Sequence, residues 1–187
     1  IYMSRLGKLP IPVPAGNKVE IDNLTIKIEG PKGSLTKSFK GNLEIKLVNS
    51  ELLISLKENV QITKFDRAMF GTIRSIVANM VHGVNNNFVT ELDIKGVGYR
   101  VSQINGGINF NYGYSHSIKF LIRSEHTKEI KILTPKQDSI ILEGIDKELL
   151  GSYTSKILSL RKFNVYKGKG VQIKGVKMLS KKRKTKK

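Results

Sequence analysis

The sequence has no cysteine and no tryptophan, three histidines, five prolines, and only 15 acidic residues against 33 lysines and arginines. Each shortage removes a class of chemistry. Without cysteine there is no disulfide framework, no thiol nucleophile and no cysteine-bearing zinc or iron–sulfur site. Three separated histidines leave little for a metal centre, so no metal and no cofactor is expected. Long hydrophobic runs are missing as well: apolar stretches such as 52–56 and 139–142 are four or five residues long, against the roughly 20 that a membrane-crossing helix needs. The N-terminus lacks the apolar segment of a secretory signal. These absences point to a soluble protein in a reducing compartment or one indifferent to redox state, with no membrane span.

What is abundant is positive charge. The 187 residues carry a formal net charge of +18, for an isoelectric point near 10.1. That excess exceeds what solubility requires, and its summed field attracts polyanions, nucleic acid first and an anionic membrane surface second. The 39% of apolar residues are enough for a packed core. The charge is unevenly placed: residues 1–160 hold 21 basic and 15 acidic side chains, and residues 161–187 hold 12 basic and none acidic. A block of this density repels itself and on its own is expected to be extended, ordering against a polyanion. Its last seven residues also read as a solvated end or a localisation signal. Over 161–177 the charges alternate with Phe163, Val165, Tyr166, Val171, Ile173 and Val176, so that stretch can lie on a folded surface with its lysines outward. Gly168 and Gly170 let the backbone approach a phosphate and expose N–H donors. Tyr166 is suited either to stacking on an unpaired base or to the core.

Period-2 alternation dominates elsewhere, as at Leu24, Ile26, Ile28; Leu43, Ile45, Leu47; Leu52, Ile54, Leu56; Leu92, Ile94; Ile108, Phe110, Tyr112; Ile118, Phe120, Ile122; and Ile130, Ile132. These are half-buried strands. They are separated by turns at 30–33, Asn49-Ser50, 105–107 and Thr134-Pro135, and the short connections predict antiparallel hairpins. Two segments have helical spacing. Met69, Ile73, Ile76, Val77 and Met80 mark a helix over 64–82, with Thr63 and Asp66 as its capping box. Leu150, Tyr153, Ile157 and Leu160 mark another over 146–162, with Asp146 as N-cap and Arg161-Lys162 in the last turn. The order strands, helix, strands, helix, with Gly71 and Gly151 about 80 residues apart, reads as a duplication. The expected fold is α+β, with two tandem domains of a mainly antiparallel sheet against one amphipathic helix, and a basic C-terminal extension. The expected bounds are 1–83, 84–177 as the main RNA-binding part, and 178–187 as the tail. After His82-Gly83 the three asparagines at 85–87 are expected to end the first helix.

Catalytic motifs are weak. Ser115-His116 invites hydrolase chemistry, but neighbours on a strand point to opposite faces and no nucleophile elbow is present. Gly96-Val97-Gly98-Tyr99-Arg100 lacks the third glycine and the helix of a dinucleotide fingerprint. It reads as a tight bend with an arginine able to reach phosphate, or as a structural turn alone.

Several motifs share one further property. The block MSRLGKLPIPVPAG at 3–16, Gly30-Pro31-Lys32-Gly33, Arg67-Ala68, Arg74-Ser75, NMVHGV at 79–84, GVGYR at 96–100, GYSH at 113–116 and YKGKGV at 166–171 follow in the order and spacing of a known family. The chain resembles the large-subunit ribosomal protein L6 family of bacterial and organellar type over nearly its whole length. The resemblance implies two copies of a helix-on-sheet domain and no enzyme activity. It implies binding to large-subunit ribosomal RNA near the stalk base and the sarcin–ricin loop, mainly through the second domain and the extension, among neighbouring ribosomal proteins and near translation factors. By motif, Tyr166, Lys167, Gly168, Lys169 and Gly170 are the leading RNA contacts, with Tyr99 and Arg100 of the 96–100 bend next and Ser115 and His116 after them. The basic residues Lys95, Lys174, Lys177, Lys181, Lys182, Arg183 and Lys184 join them as phosphate partners. Two departures stand out: Phe163-Asn164-Val165 replaces a proline-containing segment, and Ser117 replaces the usual proline after GYSH.

Lysine (26), isoleucine (22) and asparagine (13) are the mark of an AT-rich coding sequence, and the chain begins with Ile. Both fit an organelle-encoded protein of a mitochondrial ribosome, with the few residues before Met3 too short for a transit peptide; a bacterial cytoplasm or a plastid is the alternative. The competing functional reading is a free-standing nucleic-acid-binding module such as an RNA chaperone. No small-molecule substrate is implied.

Overall fold

Alternating residues become strands where one side of the alternation can be buried, and here they do so twice. The computed structural model describes residues 5–57, 62–126, 129–177 and 181, and the chain forms two units, 1–87 and 88–187. The first unit carries β1 (Ile11–Pro12), β2 (Lys18–Asp22), β3 (Thr25–Gly30), β4 (Gly33–Ser38), β5 (Leu43–Val48), β6 (Glu51–Leu56) and helix α1 (Lys64–Asn85). Its strands pair antiparallel in two three-stranded sheets, ordered β2-β3-β4 and β1-β6-β5. Ile26, Ile28, Leu43, Ile45 and Leu52 are buried, and α1 packs on these sheets with Phe70, Ile73, Val77, Met80 and Val84. Asn49 and Ser50, both at positive φ (49° and 63°), close β5 onto β6 as a type I′ turn whose twist matches the strands.

Helix α1 starts at the expected capping box. Thr63 Oγ1 accepts from the Asp66 amide at 3.2 Å, and the Asp66 carboxylate accepts from the Thr63 amide at 3.0 Å. Asp66, 2% exposed, also accepts from the Asn42 amide at 2.9 Å and the Thr63 hydroxyl at 2.7 Å. These donors, the Asn42 amide foremost and the Thr63 hydroxyl next, hold its pKa down at about 2. A carboxylate favoured in this way stabilises the fold fully above the ordinary value of 3.8, and the contribution is lost as pH falls towards 2. Asp66→Ala is therefore expected to lower the thermal midpoint of the first unit at pH 7 and to flatten its decline between pH 4 and 2, as followed by circular dichroism.

The helix runs three residues past its expected end. Gly83 and Val84 are buried, with Val84 fully so, and the Val84 carbonyl accepts from the Lys32 amide at 3.0 Å. Burial of that turn outweighs the poor helix propensity of Asn85, whose side chain donates back to the Val81 carbonyl at 2.7 Å. The buried stripe also includes Phe70 and Val81, while Met69 and Ile76 sit half-buried at its margins.

The second unit carries β7 (Phe88–Lys95), β8 (Arg100–Ile104), β9 (Gly107–Asn111), β10 (Ile118–Leu121), β11 (Ile130–Lys136), β12 (Ser139–Gly144), α2 (Lys147–Leu160) and β13 (Gly170–Ile173). A four-stranded sheet, β11-β12-β7-β13, and a three-stranded sheet, β10-β9-β8, are both antiparallel. Leu92, Ile108, Phe110, Tyr112, Ile140 and Leu142 form the core with Leu150, Tyr153 and Ile157 of α2. Asp146 caps α2, accepting from the Glu148 amide at 2.8 Å. The fold is thus α+β: two units, each of antiparallel sheets with one amphipathic helix.

Three local expectations change. Thr134-Pro135 is not a turn but part of β11, at the register shift between Leu133 and Lys136, an irregularity that tolerates proline. Arg161 and Lys162 lie beyond the last turn of α2, with Arg161 as its C-cap. The basic segment after 160 does not wait for a polyanion to order it. β13 pairs with β7, and Val171, 1% exposed, enters the core, so sheet pairing and one buried valine hold the segment despite its charge.

Candidate nucleic-acid interface

The basic segment is shaped by its backbone hydrogen bonds. Leaving α2, the chain makes a hairpin in which Asn164 and Lys169 form an antiparallel bridge. The Asn164 amide donates to the Lys169 carbonyl at 2.7 Å, and the Gly168 amide donates to the Asn164 carbonyl at 2.8 Å. Asn164 Oδ1 accepts from the amides of Tyr166 and Lys167, both at 3.0 Å. An asparagine side chain that bonds the backbone two and three residues on rigidifies a turn without help from proline. Phe163-Asn164-Val165 thereby supplies the order that the missing proline segment was expected to supply.

The same bonds correct one expectation. The N–H groups of 166, 167 and 168 are occupied by Asn164, so the hairpin offers ammonium groups and an aromatic ring, not a row of amides. The two glycines also part company. Gly168, at φ +63° with open space around it, leaves the tip of the turn approachable. Gly170 is demanded by packing: a Cβ there would lie 2.5 Å from Phe163 Cα and 2.8 Å from the Lys162 carbonyl oxygen. Tyr166 is 57% exposed, which removes the core alternative for it.

Arg161 ties this hairpin to two distant motifs. Its Nε donates to Tyr99 Oη at 3.2 Å, and its guanidinium lies 4.7 Å from the centroid of the Tyr114 ring. Hydrogen bonding to Tyr114 first, and to Tyr99 second, raises its pKa above the ordinary arginine value. Tyr114 Oη donates to the Leu160 carbonyl at 3.3 Å, and the Arg161 carbonyl accepts from the Val171 amide at 3.2 Å. Tyr99 is half-buried, 5.6 Å from Tyr112 between ring centroids. It acts as a strut under Arg161, not as the open contact expected from its motif. The 96–100 segment is the expected tight bend, with the Tyr99 amide donating to the Gly96 carbonyl at 3.2 Å. Arg100 is exposed at the start of β8.

Two hollows flank the hairpin. One of about 420 Å³ is lined by Tyr114, Ser159, Leu160, Arg161, Lys162, Asn164, Lys167 and Lys169, four cations with no carboxylate among them. The other, of about 720 Å³, brings Lys95, Gly168 and Lys177 together with Asp93 and Gln172. Lys174 is partly neutralised: its ammonium pairs with the Glu91 carboxylate, which raises the lysine pKa, and its amide donates to the Glu91 carbonyl at 3.0 Å. Lys181 is exposed, and its amide donates to the Val165 carbonyl at 3.2 Å. Lys182, Arg183 and Lys184 lie outside the described residues.

Ser115 and His116 differ from their expected strand geometry. They sit on the bend 113–116, where Ser115 Oγ comes 3.5 Å from His116 Nδ1, a separation at which a hydrogen bond is weak. Both are exposed, and the printed partner of His116 besides Ser115 is the Tyr114 ring, so no acid orients the imidazole for catalysis. Among the described residues no group of three or more histidines and acids is placed to hold a metal, and no helix is long and apolar enough to cross a membrane.

Sequence reasoning missed Arg161, Lys162 and Asn164 as site residues. Arg161 and Lys162 were visible only as charges near a helix end, and Asn164 only as a departure from a motif. Asn164→Ala is expected to release the amides of Tyr166 and Lys167, speeding their hydrogen exchange at least tenfold and weakening RNA binding about three- to tenfold, since each lost hydrogen bond is worth about 0.5–1.5 kcal/mol.

Comparison with known proteins agrees with this arrangement. The family model described as Ribosomal protein L6 matches residues 13–87 and 95–174, one segment in each unit, as a duplication requires. A protein named large ribosomal subunit protein uL6 from Syntrophobacter fumaroxidans (strain DSM 10017 / MPOB) is 42% identical over 173 residues, covering 92% of the chain and 92% of that relative. The two matched repeats and this identity along nearly the full length mean that the chain belongs to the ribosomal protein L6 family of the large ribosomal subunit.

Proposed function

We propose that this protein is a structural, non-enzymatic constituent of the large ribosomal subunit that binds large-subunit ribosomal RNA through its second unit, near the stalk base and the sarcin–ricin region, and so supports translation. The observation that carries this reading is the hollow where Arg161, Lys162, Lys167 and Lys169 converge without a counter-charge. Lysines neutralise phosphates and release counterions, and the folded units hold those charges at fixed spacing. A duplex of RNA hides its base edges in a deep groove, so recognition there relies on shape, phosphate and 2′-OH contacts. Neighbouring ribosomal proteins border the chain, and translation factors dock nearby. The lysine, isoleucine and asparagine bias supports a mitochondrial ribosome, although the matched relative is bacterial and a bacterial ribosome has the same support from the fold.

The test is the affinity of the purified chain for a large-subunit ribosomal RNA domain and for a small-subunit one, measured over a salt series. Preference for the large-subunit RNA together with a steep salt slope is expected. Equal affinity for both would indicate a general RNA chaperone.

A further inference from the structure

The hollow beside Arg161 combines two features that phosphate binding alone does not need: an exposed pair of aromatic rings and a rim of cations. Tyr114 is 40% exposed, yet its orientation is fixed at the hydroxyl by the Leu160 carbonyl and at the ring by Arg161. His116, also exposed, lies nearly parallel to it, with planes 21° apart and centroids 6.4 Å apart, within the range of paired aromatic rings. The two rings thus extend one stacking surface at the mouth of the hollow. A base paired within a duplex is already stacked on its neighbours and has no face to offer such a surface; an unpaired base has two.

We propose that this hollow holds a single unpaired nucleotide of RNA, its base stacked on Tyr114 and His116 and its flanking phosphates on Lys162, Lys167 and Lys169. The inference rests on the RNA-binding reading above and sharpens it, from a surface that follows phosphates to a pocket that takes one splayed base. The volume fits: about 420 Å³ lies near the lower end of pockets that hold small molecules, enough for one nucleotide and too little for a helix end. The preorganisation fits as well. Tyr114 is already fixed by bonds within the protein, so ordering it costs little when the base arrives. Arg161 is engaged with Tyr99 and Tyr114 and acts as a positioning residue, leaving the lysines to meet the phosphates.

The test uses the full chain, fluorescence anisotropy, and three probes: single-stranded hexaadenylate, a ribose–phosphate hexamer of the same length lacking its bases, and a short RNA duplex. Hexaadenylate is expected to bind about 5- to 150-fold tighter than the baseless hexamer, the range associated with one stacked base. His116→Ala and Tyr114→Leu are expected to remove most of that difference, leaving binding of the baseless hexamer and its salt slope unchanged. Because Tyr114 also touches Arg161, the exposed His116 carries the cleaner comparison. Equal affinity for the two hexamers, or a His116→Ala chain that still prefers hexaadenylate by the full factor, would overturn the proposal while leaving duplex binding with a steep salt slope as support for the RNA-binding reading. A chain that binds none of the three probes would overturn both.

Discussion

Replacing Lys167 and Lys169 together with alanine is expected to lower the affinity for large-subunit ribosomal RNA about a hundredfold at 0.1 M salt and to reduce the slope of log affinity against log salt by about two. Each phosphate neutralised contributes roughly 0.7–0.9 to that slope, close to one per lysine, and a unit slope amounts to about tenfold between 1 M and 0.1 M. The fold should be unaffected, because the hairpin is held by Asn164 and by backbone bonds, not by these ammonium groups. An unchanged slope with an unchanged circular dichroism spectrum would remove the hairpin from the interface. Lys174→Ala serves as an internal comparison. Its charge is already partly matched by Glu91, so its effect on the slope is expected to fall well short of that of either hairpin lysine.

Gly170→Ala is expected to destabilise the second unit by about 2–5 kcal/mol, combining left-handed backbone strain with overpacking. At φ +138° an alanine methyl would meet the backbone of 162–163, and backbone cannot swing aside as a flexible side chain can. To make room, β13 would have to move away from the end of α2, taking Val171 out of the core. Gly168→Ala separates this effect from glycine's backbone freedom alone: at φ +63° in open space, only the left-handed conformation is penalised, at about 1–2 kcal/mol. Urea unfolding of both variants followed by circular dichroism distinguishes the two cases. If Gly170→Ala were no worse than Gly168→Ala, the close approach at 162–163 would not matter to stability.

Most of the architecture could be read from short-range pattern, because burial on one side imposes a visible period. Ile26 with Ile28, Leu43 with Ile45, and Leu92 with Ile94 are all buried as their alternation requires, and the Thr63–Asp66 cap follows from a three-residue spacing. Strands with little buried area left little pattern. β2 presents Lys18, Glu20 and Asp22 outward while its Val19 and Ile21 are only half-buried, and β8 buries Val101 alone. β13 was masked by its surroundings, since two glycines and a run of lysines resemble an unfolded tail until Val171 and Gln172 are seen to be buried.

The site divides along the same line. Its lysines were legible as charge, and the YKGKG and GYSH motifs were legible as resemblance, but the geometry joining them was not. Arg161 meets Tyr99 across 62 residues of sequence, and no local period reports such a contact. Asn164 looked like a lost proline because its role lies in two side-chain-to-backbone bonds that composition does not reveal. The contribution of β13 to the sheet also affects how the site is probed. Deleting residues 161–187 would strip an edge strand along with the charge, so point substitutions in the hairpin are the cleaner measure of the interface.

The central claim, a fixed seat on the large ribosomal subunit, is tested most directly by sedimenting a tagged copy of the protein through a sucrose gradient at moderate salt, made from the cell or organelle that produces it. The protein is predicted to travel with the large-subunit peak and to leave it only as salt is raised. Recovery at the top of the gradient with free nucleic acid, at the same moderate salt, would contradict the account.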